Sequence, residues 1–179
     1  MRLFVAVDLP ATVKDELDRL IAALRPSIPD AKWVPRDNIH LTLSFLGEVG
    51  DERVEPIVEA LRGVAASRAR IATRLSGSGA FPSPRRARVL WAGLEGEELP
   101  ALAAVTAEAL EPLGFPREAR AWTAHLTLAR FREPADVRGL LPLRLEEVSL
   151  DVIELTLFRS RLARPAPRYE PVTRVPFGS

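Results

Sequence analysis

The chain of 179 residues contains two histidines, and each opens the same tetrapeptide: His40-Leu41-Thr42-Leu43 and His125-Leu126-Thr127-Leu128. Identical tails behind both histidines have chance odds on the order of one in a million, so the repetition reports a site built twice. Apolar and polar residues alternate in each copy. On an extended strand successive side chains point to opposite faces, so His40 and Thr42 share one face while Leu41 and Leu43 enter the core beneath. His125 and Thr127 stand in the same relation to Leu126 and Leu128. If the two strands lie side by side, two imidazoles and two hydroxyls line one cleft. Imidazole titrates near ~6.5, so a pair sharing an anionic site can hold one neutral ring and one imidazolium at neutral pH. That is equipment for opening a phosphodiester without a metal. The neutral ring takes a proton from water and the charged ring gives one to the departing alkoxide, each role typically worth ~10²–10⁴ in rate. The threonine hydroxyls can donate to the non-bridging phosphate oxygens and hold their charge in place. A strained cyclic phosphate suits this modest toolkit, and the pair predicts a bell-shaped kcat/KM with limbs near the imidazole range.

What the chain lacks narrows the chemistry further. The absence of cysteine excludes disulfides and thiolate nucleophiles. With two histidines and no Asp or Glu inside either tetrapeptide, no metal or other cofactor is expected, although carboxylates elsewhere could converge. Arg130 follows His125 by five residues, so strand parity points it away from the His and Thr side unless the strand bulges or ends. Arg85, Arg86 and Arg88, beside the Phe81-Pro82-Ser83-Pro84 loop, could track an RNA backbone. Phe45, Phe81, Trp33, Trp122 and Tyr169 are candidates to stack a terminal base, one or two at most, since most aromatics are core.

The flanks of the two motifs carry a resemblance. Trp33-Val34-Pro35 ahead of Ile39 to Gly47, Ala124 to Arg130, the opening Met1 to Val7, and Arg88 to Leu94 together resemble the RNA 2',3'-cyclic phosphodiesterases, also called the 2'-5' RNA ligase family, among the two-histidine (2H) phosphoesterases. The resemblance covers nearly the whole chain. It implies two lobes related by a pseudo-twofold, with the motif strands meeting at a central cleft. It also implies hydrolysis of an RNA 2',3'-cyclic phosphate at the 3' oxygen to leave a 2'-phosphate, and sealing of ends to a 2'-5' linkage by the reverse route. By the same analogy His40 is the proton donor, His125 the proton acceptor, Thr42 and Thr127 bind phosphate, and Arg130 touches substrate. The two copies are identical, so the residues alone leave acid and base undivided. Arg36-Asp37 departs from the family's usual flank and leaves the shape of that loop open. Two other readings stand beside this one: an enzyme for a small cyclic phosphate such as a nucleotide or ADP-ribose cyclic phosphate, and a nucleotide-binding module without turnover.

Elements must position these residues, and the pattern supplies them. Leu3 to Val7 reads as a buried strand. Thr12, a candidate N-cap, opens a helix with Leu17, Leu20, Ile21 and Leu24 at helical spacing before Pro26. A short extended segment near Lys32 to Val34 precedes the first motif strand, Ile39 to Leu46, closed by Gly47. Val54, Ile57, Val58 and Leu61 stripe a second helix. Arg70 to Leu75 is a strand and Ser76-Gly77-Ser78-Gly79 a loop. The order returns at an offset of 85 residues: strand 4–9 onto 89–94, helix Leu17, Leu20, Leu24 onto Leu102, Val105, Ala109, and His40 onto His125. This predicts one bilobal domain with an internal repeat, approximately 1–80 and 86–165. A short helix over Ala135 to Leu140, strand-like Arg144 to Arg159, and an edge strand near Tyr169 to Val175 complete it. The fold class expected is α+β, each half supplying an antiparallel or mixed sheet with helices on its outer face.

Composition bounds the rest. Apolar content of 47% with a mean hydropathy of +0.02 is globular, and the length suits one domain or two small lobes. A net charge of +1 excludes a polycation that coats nucleic acid indiscriminately. Apolar runs fall short of a membrane span, and Phe4 to Val7 meets Asp8 too soon for a leader. The expectation is a cytoplasmic, monomeric protein with RNA as partner.

Overall fold

The computed structural model describes residues 1–178. In chain order the elements are β1 (Arg2–Val7), α1 (Ala11–Leu24), β2 (Lys32–Trp33), β3 (Leu41–Glu48), α2 (Val54–Ala66), β4 (Ile71–Phe81), β5 (Ala87–Glu95), α3 (Leu99–Leu110), β6 (His125–Ala135), β7 (Ser149–Val152), β8 (Glu154–Arg161) and β9 (Arg168–Pro176). The strands form two antiparallel sheets, one ordered β3-β1-β8-β9 and the other β2-β6-β5-β4-β7. The fold is α+β, as the pattern predicts. No helix among the described residues is long and apolar enough to cross a membrane.

Sheet membership does not follow the two halves of the sequence. After α2 the chain crosses to lay β4 between β5 and β7, and Ile153 alone carries it from β7 into β8, which pairs with β1. The expectation that each half supplies its own sheet is corrected here: each sheet takes strands from both. Alternation along a strand says which residues face the core and nothing of which neighbour the strand selects. Both sheets share one apolar core, which includes Leu3, Leu41, Leu90, Leu126 and Leu157. The four motif leucines all lie in it, each stabilising the fold by roughly 1.5–3 kcal/mol relative to an exposed position.

Three local expectations also change. Helix α1 begins at Ala11 behind Pro10, without a side-chain cap, so Thr12 lies inside the first turn. Ser76 to Gly79 is strand, because β4 runs through it with a register irregularity between Leu75 and Ser78 and a left-handed Gly77 (φ 79°) absorbing the extra residue. Gly79 is also required by packing, since a Cβ there would collide with the Trp91 indole. Ala135 to Leu140 is not a helix: β6 extends to Ala135 and a single 3-10 turn covers Arg138–Leu140. The Tyr169 to Val175 expectation falls within β9, an edge strand that tolerates Pro171.

Candidate active site

The two motif strands lie in different sheets. β3 is the outer strand of one sheet, β6 carries only the two-residue β2 on its outer side, and the two approach one another. The Trp122 indole fastens them from the segment before β6, Nε1 donating to the Thr42 carbonyl at 3.1 Å. His125 is the first residue of β6, whereas His40 sits just ahead of β3, after a 3-10 turn at Arg36–Asn38. Arg36, where the flank departs from the family pattern, pairs with Asp15 at 2.8 Å and with Asp18, so that loop is clamped to α1.

Each motif strand carries a bulge at the same place. Ala6 faces Thr42 and Val5 faces Ser44, leaving Leu43 extra; Trp91 faces Thr127 and Leu90 faces Ala129, leaving Leu128 extra. A bulge flips the face of every later side chain. Leu128 and Ala129 are therefore both buried, and Arg130 emerges on the side of His125 and Thr127 instead of the opposite one. Directly paired residues share a face, and Phe81, Val89 and Arg130 form one such row with Phe81 edge-on to His125 at 5.1 Å. In the other sheet the matching row is Phe158, Phe4 and Phe45. Phe158 packs on His40 at 4.4 Å between ring centroids, and Phe45 is 66% exposed. His40, Thr42 and Phe45 thus crown one strand, and His125, Thr127 and Arg130 the other.

The two histidines differ in their surroundings. His125 is half-buried, and its Nδ1 lies 2.9 Å from the Thr123 carbonyl. A carbonyl only accepts, so Nδ1 carries a proton in this bond, and in the neutral ring the lone pair is on Nε2. The His40 side chain is 4% exposed, walled by Phe158, Phe4 and Tyr169, with Nε2 3.5 Å from Asp8 Oδ1. Burial is the largest influence on its pKa and lowers it to about 4; Asp8 pulls upward, Lys14 downward, the Asn38 carbonyl and Asp37 upward. Among the described residues Nδ1 makes no well-formed hydrogen bond, with the Asn38 carbonyl or any other group, and Thr156 Oγ1 on the same sheet is likewise buried without a partner. A pH profile with one limb set by His40 is therefore expected to place that limb well below the imidazole range read from the motif alone.

A stability prediction follows from this burial. The unfolded chain binds the His40 proton near the ordinary 6.5 and the folded chain only near 4, so stability is full above pH 6.5 and falls as the pH drops between them. The contribution is at most about 3 kcal/mol. Urea unfolding at pH 7 and pH 4.5 is expected to show a steeper acid loss in the wild type than in His40→Gln.

Other expected site residues fall further away. Arg85 lies in the 3-10 turn Pro84–Arg86 at the far end of β6, where Ala87 faces Ala135, on the order of 15 Å along the strand from Arg130. Arg86 is in the same turn, and Arg88 donates to the Arg132 carbonyl at 2.8 Å. Trp33 is part-buried against the core with Arg25 over its ring, and Trp122 is engaged with Thr42. Phe81 and Tyr169 do reach the histidines. Among the described residues no three His, Cys, Asp or Glu side chains converge to hold a metal.

The family described as LigT-like phosphoesterase matches residues 7–91, which include His40 and Thr42. An RNA 2',3'-cyclic phosphodiesterase of Archaeoglobus fulgidus is 39% identical over 142 residues, 76% of this chain and 78% of that protein. The chain belongs to the LigT-like, two-histidine phosphoesterases. It spans 56% of the length of a Geobacillus stearothermophilus RNA 2',3'-cyclic phosphodiesterase, with 31% identity over 97% of its own. The crystal structure of TT0787 from Thermus thermophilus superposes with a TM-score of 0.85 at 31% identity, over 99% of this chain and 98% of that one. E. coli LigT complexed with 3'-AMP superposes at 0.79 and 27% identity, with the same coverage.

Four residues of this LigT-like site escape a reading of the sequence: Phe4, Phe158, Trp91 and Asp8. Phe4 and Ala6 stand on the face of β1 opposite Leu3, Val5 and Val7, in a small cluster with Phe158 and Tyr169. The unbroken apolar run of β1 was the available signal, since a strand covered on both faces loses its alternation.

Proposed function

We propose that the chain opens RNA 2',3'-cyclic phosphate ends to 2'-phosphates by metal-independent acid–base catalysis. The observation that carries the reading is the doubled His, Thr and post-bulge side chain on two approaching strands, in a chain whose relatives bear that activity in their names. His125 Nε2 takes a proton from water, the oxygen attacks phosphorus opposite the 3' oxygen, and the bond to that oxygen breaks. His40 supplies the proton that the departing 3' oxygen takes up. The Thr42 and Thr127 hydroxyls hold the two non-bridging oxygens through the pentacoordinate state. Phe45 stacks the terminal base, Arg130 meets the phosphate charge, and Arg85 meets the RNA backbone further along. With a 5' hydroxyl in place of water as the nucleophile, the same steps join that hydroxyl to the cyclic phosphate as a 2'-5' linkage and release the 3' hydroxyl. The two matching strand orders, β3-β1-β8-β9 and β6-β5-β4-β7, support a duplicated bilobal domain; the protein acts as a monomer in this reading.

The test is a short RNA ending in 2',3'-cyclic phosphate, incubated with the protein in EDTA, against a 2',3'-cyclic mononucleotide and ADP-ribose 1'',2''-cyclic phosphate. The expected result is RNA hydrolysis unaffected by EDTA, with the 2'-phosphate as product and the RNA preferred. Binding without turnover, a 3'-phosphate product, or preference for the ADP-ribose compound overturns the reading.

A further inference from the structure

The histidine pair is symmetric in sequence and asymmetric in its carboxylates. Asp8 ends the run that begins with β1, and its Oδ1 stands 3.5 Å from His40 Nε2. The residue at the matching position of the second half is Gly93, the direct cross-strand partner of His125. No side chain fits there, because a Cβ on Gly93 would collide with the Ser76 carbonyl. A carboxylate is therefore built against one histidine and sterically barred from the other.

Asp8 is itself held in place. Its Oδ1 accepts the Leu9 amide at 2.9 Å, Lys14 Nζ of α1 lies at 3.5 Å, and Arg174 of β9 reaches Oδ2 at 3.4 Å while also pairing with Glu154 at 3.0 Å. A cavity of about 440 Å³ lined by Asp8, Pro10, Thr12, Glu154 and Arg174 among others leads to it, and neither histidine lines that cavity. Burial works to raise the Asp8 carboxyl, but Lys14, His40, the Leu9 amide and Arg174 together hold it below the usual carboxylate range. The charged groups acting on His40 are thus Asp8, Lys14 and Asp37, with Tyr169 as the remaining titratable neighbour.

We propose that Asp8 is the positioning residue that makes His40, and not His125, the proton-carrying histidine of the pair. This rests on the acid–base reading given above. A general acid must hold a proton, and His40 is walled by aromatic rings that disfavour its charged form. Asp8 opposes that penalty through a single fixed contact, and the negative charge of a bound phosphate would act in the same direction. His125 commits Nδ1–H to a carbonyl, so its neutral ring presents Nε2 as the proton acceptor. The exchange of roles between two identical motifs is prevented by one aspartate and one glycine.

The experiment compares wild type, Asp8→Asn and Asp8→Glu. Asparagine keeps the acceptor for the Leu9 amide and removes only the charge. Ring titration by NMR, in the free protein and with inorganic phosphate, is expected to show His40 at lower pH in Asp8→Asn, with His125 unmoved and Asp8→Glu closer to wild type. Each unit of that fall is expected to lower kcat/KM on a cyclic-phosphate RNA about tenfold and to carry the acid limb of its pH profile down equally, with KM little changed. An unchanged His40 titration in Asp8→Asn, or an equal shift of both histidines, overturns the assignment. The titration reads the Asp8–His40 coupling whatever the substrate, whereas wild-type turnover, measured first, reads the phosphodiesterase activity itself.

Discussion

Alanine at either motif histidine is expected to slow the opening of a 2',3'-cyclic phosphate by roughly 10²–10⁴ in kcat, with KM little changed. In the proposed mechanism the two rings serve one proton transfer chain, from water to the leaving oxygen, so neither half of the chain is useful alone. The double variant is therefore expected to be about as slow as the worse single variant, since residues that act as a unit do not add. Single-turnover measurements on a cyclic-ended RNA check this without interference from product release. The two variants should differ in what they do to the fold. His125 is half-buried beside Phe81 and Trp91, while His40 fills space against Phe158 and Phe4, so His40→Ala removes packing and is expected to cost about 1–3 kcal/mol of stability. His40→Gln separates the two effects by restoring volume without a titrating ring. Retention of wild-type turnover in both alanine variants would remove the acid–base pair from consideration.

Much of this site is local in the sequence, and the part that is not local is where the reading changes. The burial of Leu41, Leu43, Leu126 and Leu128 under His40, Thr42, His125 and Thr127 needs only the twofold period of a strand. Arg130 needs more, because its face depends on whether β5 offers one residue or none opposite Leu128, a property of the partner strand. Parity gives the wrong side without the bulge and the right side with it. The same bulge at Leu43 turns out Phe45, and its recurrence at the matching position of β6 is a signal visible only once the two pairings are known. Strand exchange is hidden for a similar reason. The helical stripe of α2 and the alternation of β4 look alike whichever sheet receives β4, and the Ser76 to Gly79 stretch reads as a loop because glycine usually marks one. Here Gly79 and Gly93 are demanded by what lies against them, an indole and a carbonyl oxygen, and neither is near them in sequence. Asp8 stands thirty-two residues before His40 and reads as the polar end of a strand, so its meeting with the imidazole belongs to the tertiary fold alone.

Valine at Thr42 or Thr127 is expected to lower kcat by roughly 10²–10³ at nearly constant stability, because the hydroxyl is exchanged for a methyl of similar shape and a charge-holding donor is lost. Both side chains are half-buried on the strand face that carries the histidines. Thr73 and Thr106 donate to the Leu150 and Leu102 carbonyls, but neither motif hydroxyl has a protein partner among the described residues. Backbone contacts fix the two positions instead: Thr42 pairs with Ala6 and accepts the Trp122 indole on its carbonyl, and Thr127 pairs with Trp91. A hydroxyl held in place with its donor unspent is preorganised for an anion, and losing it should show in kcat more than in KM if the bond tightens as charge builds on the non-bridging oxygens. Serine should restore most of the rate, because it keeps the donor and loses only a methyl. Comparing valine and serine at each position therefore separates the hydroxyl from the packing. The double Thr42→Val, Thr127→Val protein should be slower than either single, because in the proposed mechanism each hydroxyl holds a different oxygen. A valine series that changes KM alone would instead make the threonines simple binding groups.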